Sequence, residues 1–80
     1  MSWRTVVVSS SAKLDYQLGY LVVRKDVTVK IHISEISILM IESTAVSLTV
    51  ALLNELIKKK VKIVFCDEKR NPSAELIPYY

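Results

Sequence analysis

The chain has 80 residues, of which 51% are hydrophobic and 24% charged, with one glycine, two prolines and one cysteine. This composition excludes a disordered chain, an internal disulfide framework and a multidomain enzyme; it describes one small folding unit that buries only about 60–65% of its unfolded surface. A formal charge of +3 and a pI near 9.1 are compatible with nucleic acid but mild for a dedicated binder, and no apolar stretch reaches the roughly 18–20 residues a bilayer needs. A positive mean hydropathy in so short a chain leaves an apolar surplus for the surface, so an association patch is expected. The lone cysteine, and a start without a basic run followed by an apolar one, point to a reducing, cytoplasmic setting.

Residues 5–9, TVVVS, are apolar on both pleat faces and predict a buried or central strand. AKLDY (12–16) alternates Leu14 and Tyr16 against Lys13 and Asp15, a half-buried strand, and Gln17-Leu18-Gly19 supplies a hairpin turn with the only glycine. YLVVRK (20–25) returns, the chain turns near Asp26, and VTVKIHI sets Val27, Val29, Ile31 and Ile33 against Thr28, Lys30 and His32. SEIS (34–37) predicts a short helical or 3₁₀ kink before the apolar strand ILMIE (38–42). A single helix follows, capped by Ser47 or Thr49, with Leu48, Leu52, Leu53, Leu56 and Ile57 on one stripe and Asn54, Glu55, Lys58 and Lys59 opposite. VKIVFC (61–66) reads as a strand covered on both faces, DEKRNPS as a turn, and AELIPY (74–79) as an edge strand ended by Pro78. The fold class is therefore mainly β (α+β): an antiparallel, sandwich-like domain with one amphipathic helix.

Few residues can carry chemistry. Cys66 would need His32, the only imidazole, as its base; otherwise it is a small buried hydrophobe at a strand end. Asp15, Asp26, Glu35, Glu42, Asp67, Glu68 and Glu75 are scattered one or two to an element, with no zinc-spaced Cys or His pair, and one glycine cannot build a phosphate-cradling loop. Lys58-Lys59-Lys60 suits nucleic acid but equally suits a helix C-terminus, where the macrodipole and a Glu55–Lys59 pair favour cations. Arg4, Lys13, Arg24, Lys25 and Lys30 fall in the first strands, interleaved with Trp3, Tyr16 and Tyr20. Such a face can hold phosphates and stack bases, and it is also what a solvated strand face looks like.

Taken in order, WRTVVV, KLDYQLGYLVV, IHISEISILMIES and the run from SLTVALLNELIKKK to VFCDEKRNPSAELIPYY resemble the N-terminal domain of the CRISPR-associated integrase. This is the endonuclease-like subunit of the spacer-acquisition complex of antiviral defence, first in the numbered Cas series, and the likeness is greatest to its type II-A branch. The resemblance covers essentially the whole chain and implies that residues 1–80 form one β-rich N-terminal domain. In that family the metal-binding and acidic residues that cut and join DNA lie in a larger helical C-terminal domain, so the chain is expected to lack catalytic residues and to hold no cofactor. Magnesium or manganese is expected for the full-length family. The implied partners are a second copy, as a homodimer, the small ferredoxin-like second numbered Cas protein, and double-stranded DNA with splayed ends, with no membrane. The DNA-facing residues would be Arg4, Lys13, Tyr16, Tyr20, Arg24, Lys25 and Lys30, with Tyr20 matched to the ring that wedges the strands apart and Tyr16 its competitor. Outside this resemblance, the composition also suits a free-standing interaction protein, an adaptor or inhibitor that uses an exposed apolar surface.

Overall fold

Eight strands and one helix follow one another along residues 4–76, the part of the chain that the computed structural model describes: β1 (Arg4–Val8), β2 (Ala12–Gln17), β3 (Tyr20–Arg24), β4 (Thr28–His32), β5 (Ile36–Ile41), β6 (Val46–Leu48), α1 (Val50–Lys58), β7 (Lys62–Cys66) and β8 (Pro72–Leu76). A 3₁₀ turn over Ile33–Glu35 joins β4 to β5, as the SEIS kink predicts. Trp3 and the end of the last predicted strand, with Pro78, lie outside the described residues.

The strands form two four-stranded sheets, β1-β5-β7-β8 and β4-β3-β2-β6. In the second, the meander sheet, β2, β3 and β4 pair antiparallel in chain order. Leu18 and Gly19, at φ 48° and 87°, make the tight turn between β2 and β3, where two positive φ values match the twist of the strands. The first sheet departs from the antiparallel expectation: β1 runs parallel to β5, β5 parallel to β7, and only β8 returns antiparallel. Parallel neighbours need a crossover, and the segment carrying β6 and α1 provides it between β5 and β7. β6 is a three-residue strand parallel to β2, so both sheets are mixed.

Both sheets turn one face inward. Leu14, Leu21, Ile36, Leu39, Leu52, Leu56 and Ile63 have essentially no accessible surface and form one core with Val6, Val8, Val23, Ile33 and Ile41. Burying each such side chain stabilises the fold by about 1.5–3 kcal/mol. Helix α1 contributes Leu52 and Leu56, and Thr49 is its cap: its Oγ1 accepts from the Leu52 N–H at 3.2 Å. At the other end the Val61 N–H donates to Leu56 O (2.9 Å) and the Lys60 N–H to Ile57 O (3.0 Å), with Lys60 left-handed at φ 60°. This is a Schellman motif, and the buried Val61 sits in the position that packs against Leu56.

Three further sequence expectations change. TVVVS, expected as a buried or central strand, is a half-buried edge strand: among the described residues β1 pairs only with β5, and Val6 and Val8 are buried while Val7 stays 49% exposed. Leu48 belongs to β6 and not to the helical stripe, since Thr49 adopts extended backbone and starts the helix after it. In β4 the predicted apolar face is only partly covered: Ile33 is buried in the 3₁₀ turn, whereas Val29 is half-exposed and Val27 lies in the preceding turn at 71% exposure. β4 is the outermost strand of its sheet, and a hollow of about 190 Å³ lies between its Val29 and Ile31 and the valines of β1.

Candidate nucleic-acid interface

Pleat alternation decides which predicted residues meet. On the outward face of the meander sheet, three rows cross the strands: Lys13, Arg24 and Thr28; Asp15, Val22 and Lys30; Gln17, Tyr20 and His32. The intervening residues Leu14, Leu21 and Val23 point into the core. Four of the seven sequence candidates, Lys13, Tyr20, Arg24 and Lys30, therefore share one surface. Tyr16 does not; it lies on the inward parity of β2 and packs against the core. Lys25 follows β3 in the turn to β4, and Arg4 begins β1 in the other sheet.

Charges on this face are held by few partners. The Arg24 Nε donates to Asp15 Oδ2 at 2.8 Å, and the Lys25 Nζ donates to Ser10 Oγ at 2.6 Å. Lys13 and Arg24 stand directly opposite each other on adjacent strands, an arrangement of like charges that disfavours the pair. Lys13, Arg24, Lys25 and the hydroxyls of Ser10, Ser11 and Ser47 line an open hollow of about 730 Å³ together with Asp26, which places three cations, three hydroxyls and one carboxylate around one space. An anion there would meet charge-assisted donors from both strands.

Tyr20 occupies the opposite end of the face. Its ring meets the cross-strand His32 edge-on, with centroids 5.0 Å apart and planes at 74°. The imidazole is fixed in turn: the Ser34 N–H donates to His32 Nδ1 at 3.3 Å, and Ser34 Oγ lies 2.7 Å from the same atom. Tyr20 keeps 38% of its surface exposed beside the hairpin tip, where Leu18 is 87% exposed. Val22, at the centre of the face, has no accessible surface, so the long side chains around it close over it.

Sequence reasoning missed Ser10, Asp15 and His32 as parts of this surface. The alternation of VTVKIHI carried the signal for His32, because it sets Lys30 and His32 on one parity, but only strand register shows that Tyr20 is opposite.

The remaining candidates do not assemble a reaction centre. Cys66 is buried at the end of β7, next to Phe65, which pairs with Ile41 at the far end of β5. His32 precedes the start of β5, so the two are about 16 Å or more apart along that strand and no thiol–imidazole pair forms. Asp67 answers to structure: its Oδ1 accepts from the N–H groups of Lys69 (2.9 Å) and Asn71 (3.0 Å), closing the β7–β8 hairpin around Arg70 at φ 64°. Among the described residues no three His, Cys, Asp or Glu side chains gather to hold a metal. Glu42, Glu55 and Glu75 are engaged by Arg70 (3.2 Å), Lys58 (3.3 Å) and Lys62 (3.5 Å). These donors do not fit magnesium or manganese, which need convergent oxygen ligands. Lys58, rather than Lys59, pairs with Glu55 at the helix C-terminus. No described helix is long and apolar enough to cross a membrane.

No protein-family model matches the chain. Across 80 residues, 99% of its length, it is 25% identical to the CRISPR-associated endonuclease Cas1 of Neisseria meningitidis serogroup C (strain 8013). The chain is Cas1-like. A solved CAS1 protein from Thermotoga maritima shares the fold, with a TM-score of 0.85 over 95% of this chain at 17% identity. The chain spans 26% of the length of each of these Cas1 proteins. The Cas1 likeness thus joins a sequence match to a mainly β fold with one helix, as the sequence resemblance implies.

Proposed function

We propose that the chain is a structural, DNA-positioning module of a CRISPR integrase, pairing with a second copy and presenting the outward face of the meander sheet to double-stranded DNA with splayed ends. In this reading residues 1–80 are a single N-terminal domain, and the second numbered Cas protein binds the assembled dimer. Cutting and joining, with their magnesium or manganese, belong to the family's helical domain. One observation carries the reading: Lys13 and Arg24 are held opposite each other, with Lys25 beside them, around a hollow lined by serine hydroxyls. Asp15 engages Arg24, and a phosphate backbone would answer the positive charge that Lys13 and Lys25 add beside it.

Lys13, Arg24, Lys25 and Lys30 then position phosphates. Tyr20, braced by His32 at the other end, offers a ring on which an unpaired base stacks. Arg4 lies on the other sheet and Tyr16 faces inward, so both serve the DNA less directly.

The test is anisotropy with matched blunt and splayed duplexes. Tyr20→Ala is expected to weaken splayed binding by about 1–3 kcal/mol, the worth of one stacked base, and blunt binding by much less. Lys13→Ala and Lys30→Ala are expected to weaken both and to lower the salt slope by about one each. Equal losses on both duplexes in Tyr20→Ala would remove the wedge role, and salt-independent binding would remove the phosphate role.

A further inference from the structure

We infer that the hollow beyond Tyr20, between the β2–β3 hairpin, the 3₁₀ turn and the end of α1, holds one unpaired base of a splayed DNA end. The inference rests on the DNA-positioning reading and adds a place for the nucleotide that follows the one stacked on Tyr20.

His32 joins the two places. Its ring meets Tyr20 on the outward face of the meander, and the same residue lines a hollow of about 190 Å³ with Tyr16, Gly19, Ile33, Ser34, Glu55 and Lys59. The Ile33 N–H donates to Gly19 O at 3.0 Å, which ties the 3₁₀ turn to the hairpin and fixes this corner of the molecule. A space of that size falls below the roughly 300–1,000 Å³ of a drug-sized site and suits a single flat ring system.

The polar groups of the hollow suit the edge of a base. Because the Ser34 N–H donates to His32 Nδ1 at 3.3 Å, the neutral imidazole carries its proton on Nε2. Nε2 has no hydrogen-bond partner among the described residues, and it lies 3.8 Å from where a Cβ on Gly19 would stand, so no side chain of the hairpin tip stands in front of this donor. Glu55 supplies the acceptor: its ion pair with Lys58 at 3.3 Å leaves carboxylate lone pairs for another donor. Each base carries a donor and an acceptor side by side on its Watson–Crick edge, so one donor and one carboxylate accept any of them.

Charge selects a base over a bare anion. Glu55 repels a phosphate from the inside of the hollow, whereas Lys59, exposed and without an ion-pair partner among the described residues, takes the phosphate that leads the base in. Tyr16 and Ile33 give the ring an apolar wall. Tyr16, which strand register removes from the outward face, thus gains its contact with DNA through the hollow.

Anisotropy of the chain with splayed duplexes, each carrying one abasic residue at a successive unpaired position of either strand, tests this alongside circular dichroism as a check of folding. At one position, adjacent to the one that Tyr20→Ala affects, loss of the base is expected to weaken binding at least about fivefold, the low end of the worth of one stacked base. Ser34→Leu fills the hollow and should abolish that penalty. Glu55→Gln removes the charge at nearly constant volume and should reduce it, which keeps the test open if Ser34→Leu does not fold. Lys60→Ala removes a cation one residue beyond Lys59, outside the hollow, and should leave the penalty unchanged. A penalty that persists in the folded variants, or no penalty at any position while Tyr20→Ala still weakens splayed binding selectively, overturns the hollow and leaves the DNA-positioning reading standing. Equal affinity of the native chain for splayed and blunt duplexes overturns both.

Discussion

The two sheets share one core but differ on their outer faces. The parallel strands turn Val7, Ile38, Met40 and Val64 outward, interrupted by Thr5 and Lys62. The meander turns out Lys13, Asp15, Arg24, Lys30, Tyr20 and His32, and closes them over a single valine. Parallel strands are normally covered on both faces, so under the proposed reading their apolar outer face is the one that associates, whereas the meander's outer face is already finished as a polar surface. The contrast divides the small domain's labour between packing on one sheet and charge on the other.

The largest way to break this contrast is to destroy the core both sheets share. Leu56→Asp should unfold the chain, because an unpaired charge at a fully buried site costs about 3–5 kcal/mol or more in a domain this small. Leu53→Asp, half-buried on the same helix, should cost distinctly less, and urea melts of the pair measure the difference. Next, Val22→Ala should lose about 1–3 kcal/mol, as in a core site, although it lies on the outward face of the meander. Met40→Ala on the outward face of the parallel sheet should lose less in the monomer. Equal losses would erase the distinction between a closed and an open face.

Smaller effects compare the hairpins. Asp67→Ala removes the acceptor for two backbone N–H groups in the β7–β8 turn and should cost about 1 kcal/mol by thermal melting. Leu18→Asn should instead gain a few tenths of a kcal/mol to about 1, because Asn tolerates φ 48° better than an exposed Leu. The Arg24–Asp15 pair is about half exposed on the arginine side, so its double-mutant coupling should be at most about 1 kcal/mol.

Alternation made the meander legible. Leu14 against Lys13, and Ile31 against Lys30, give faces directly, and Gly19 marks the turn. The parallel sheet was legible as strands but not as a topology. Apolar residues on both pleat faces in TVVVS and VKIVFC report the absence of a polar face; they do not report which strand is the neighbour or which way it runs. The helix between ILMIE and VKIVFC was the available sign of a parallel crossover. Leu48 fitted the helical stripe by spacing, and only the extended backbone at Thr49 separates it from the helix. In the candidate interface, residue types named the cations, while register decided that Tyr20 joins Lys13, Arg24 and Lys30 and that Tyr16 does not. Serine partners such as Ser10 carry no pattern that a sequence can display.

The most direct measurement is an amide and side-chain NMR titration of the chain with a short duplex bearing splayed ends. The account predicts saturable shifts at Lys13, Arg24, Lys25 and Lys30, with Tyr20 moving only when unpaired ends are present, and quiet signals from Met40 and Val64. Shifts concentrated on β5 and β7, with the outward face of the meander unchanged, would contradict it.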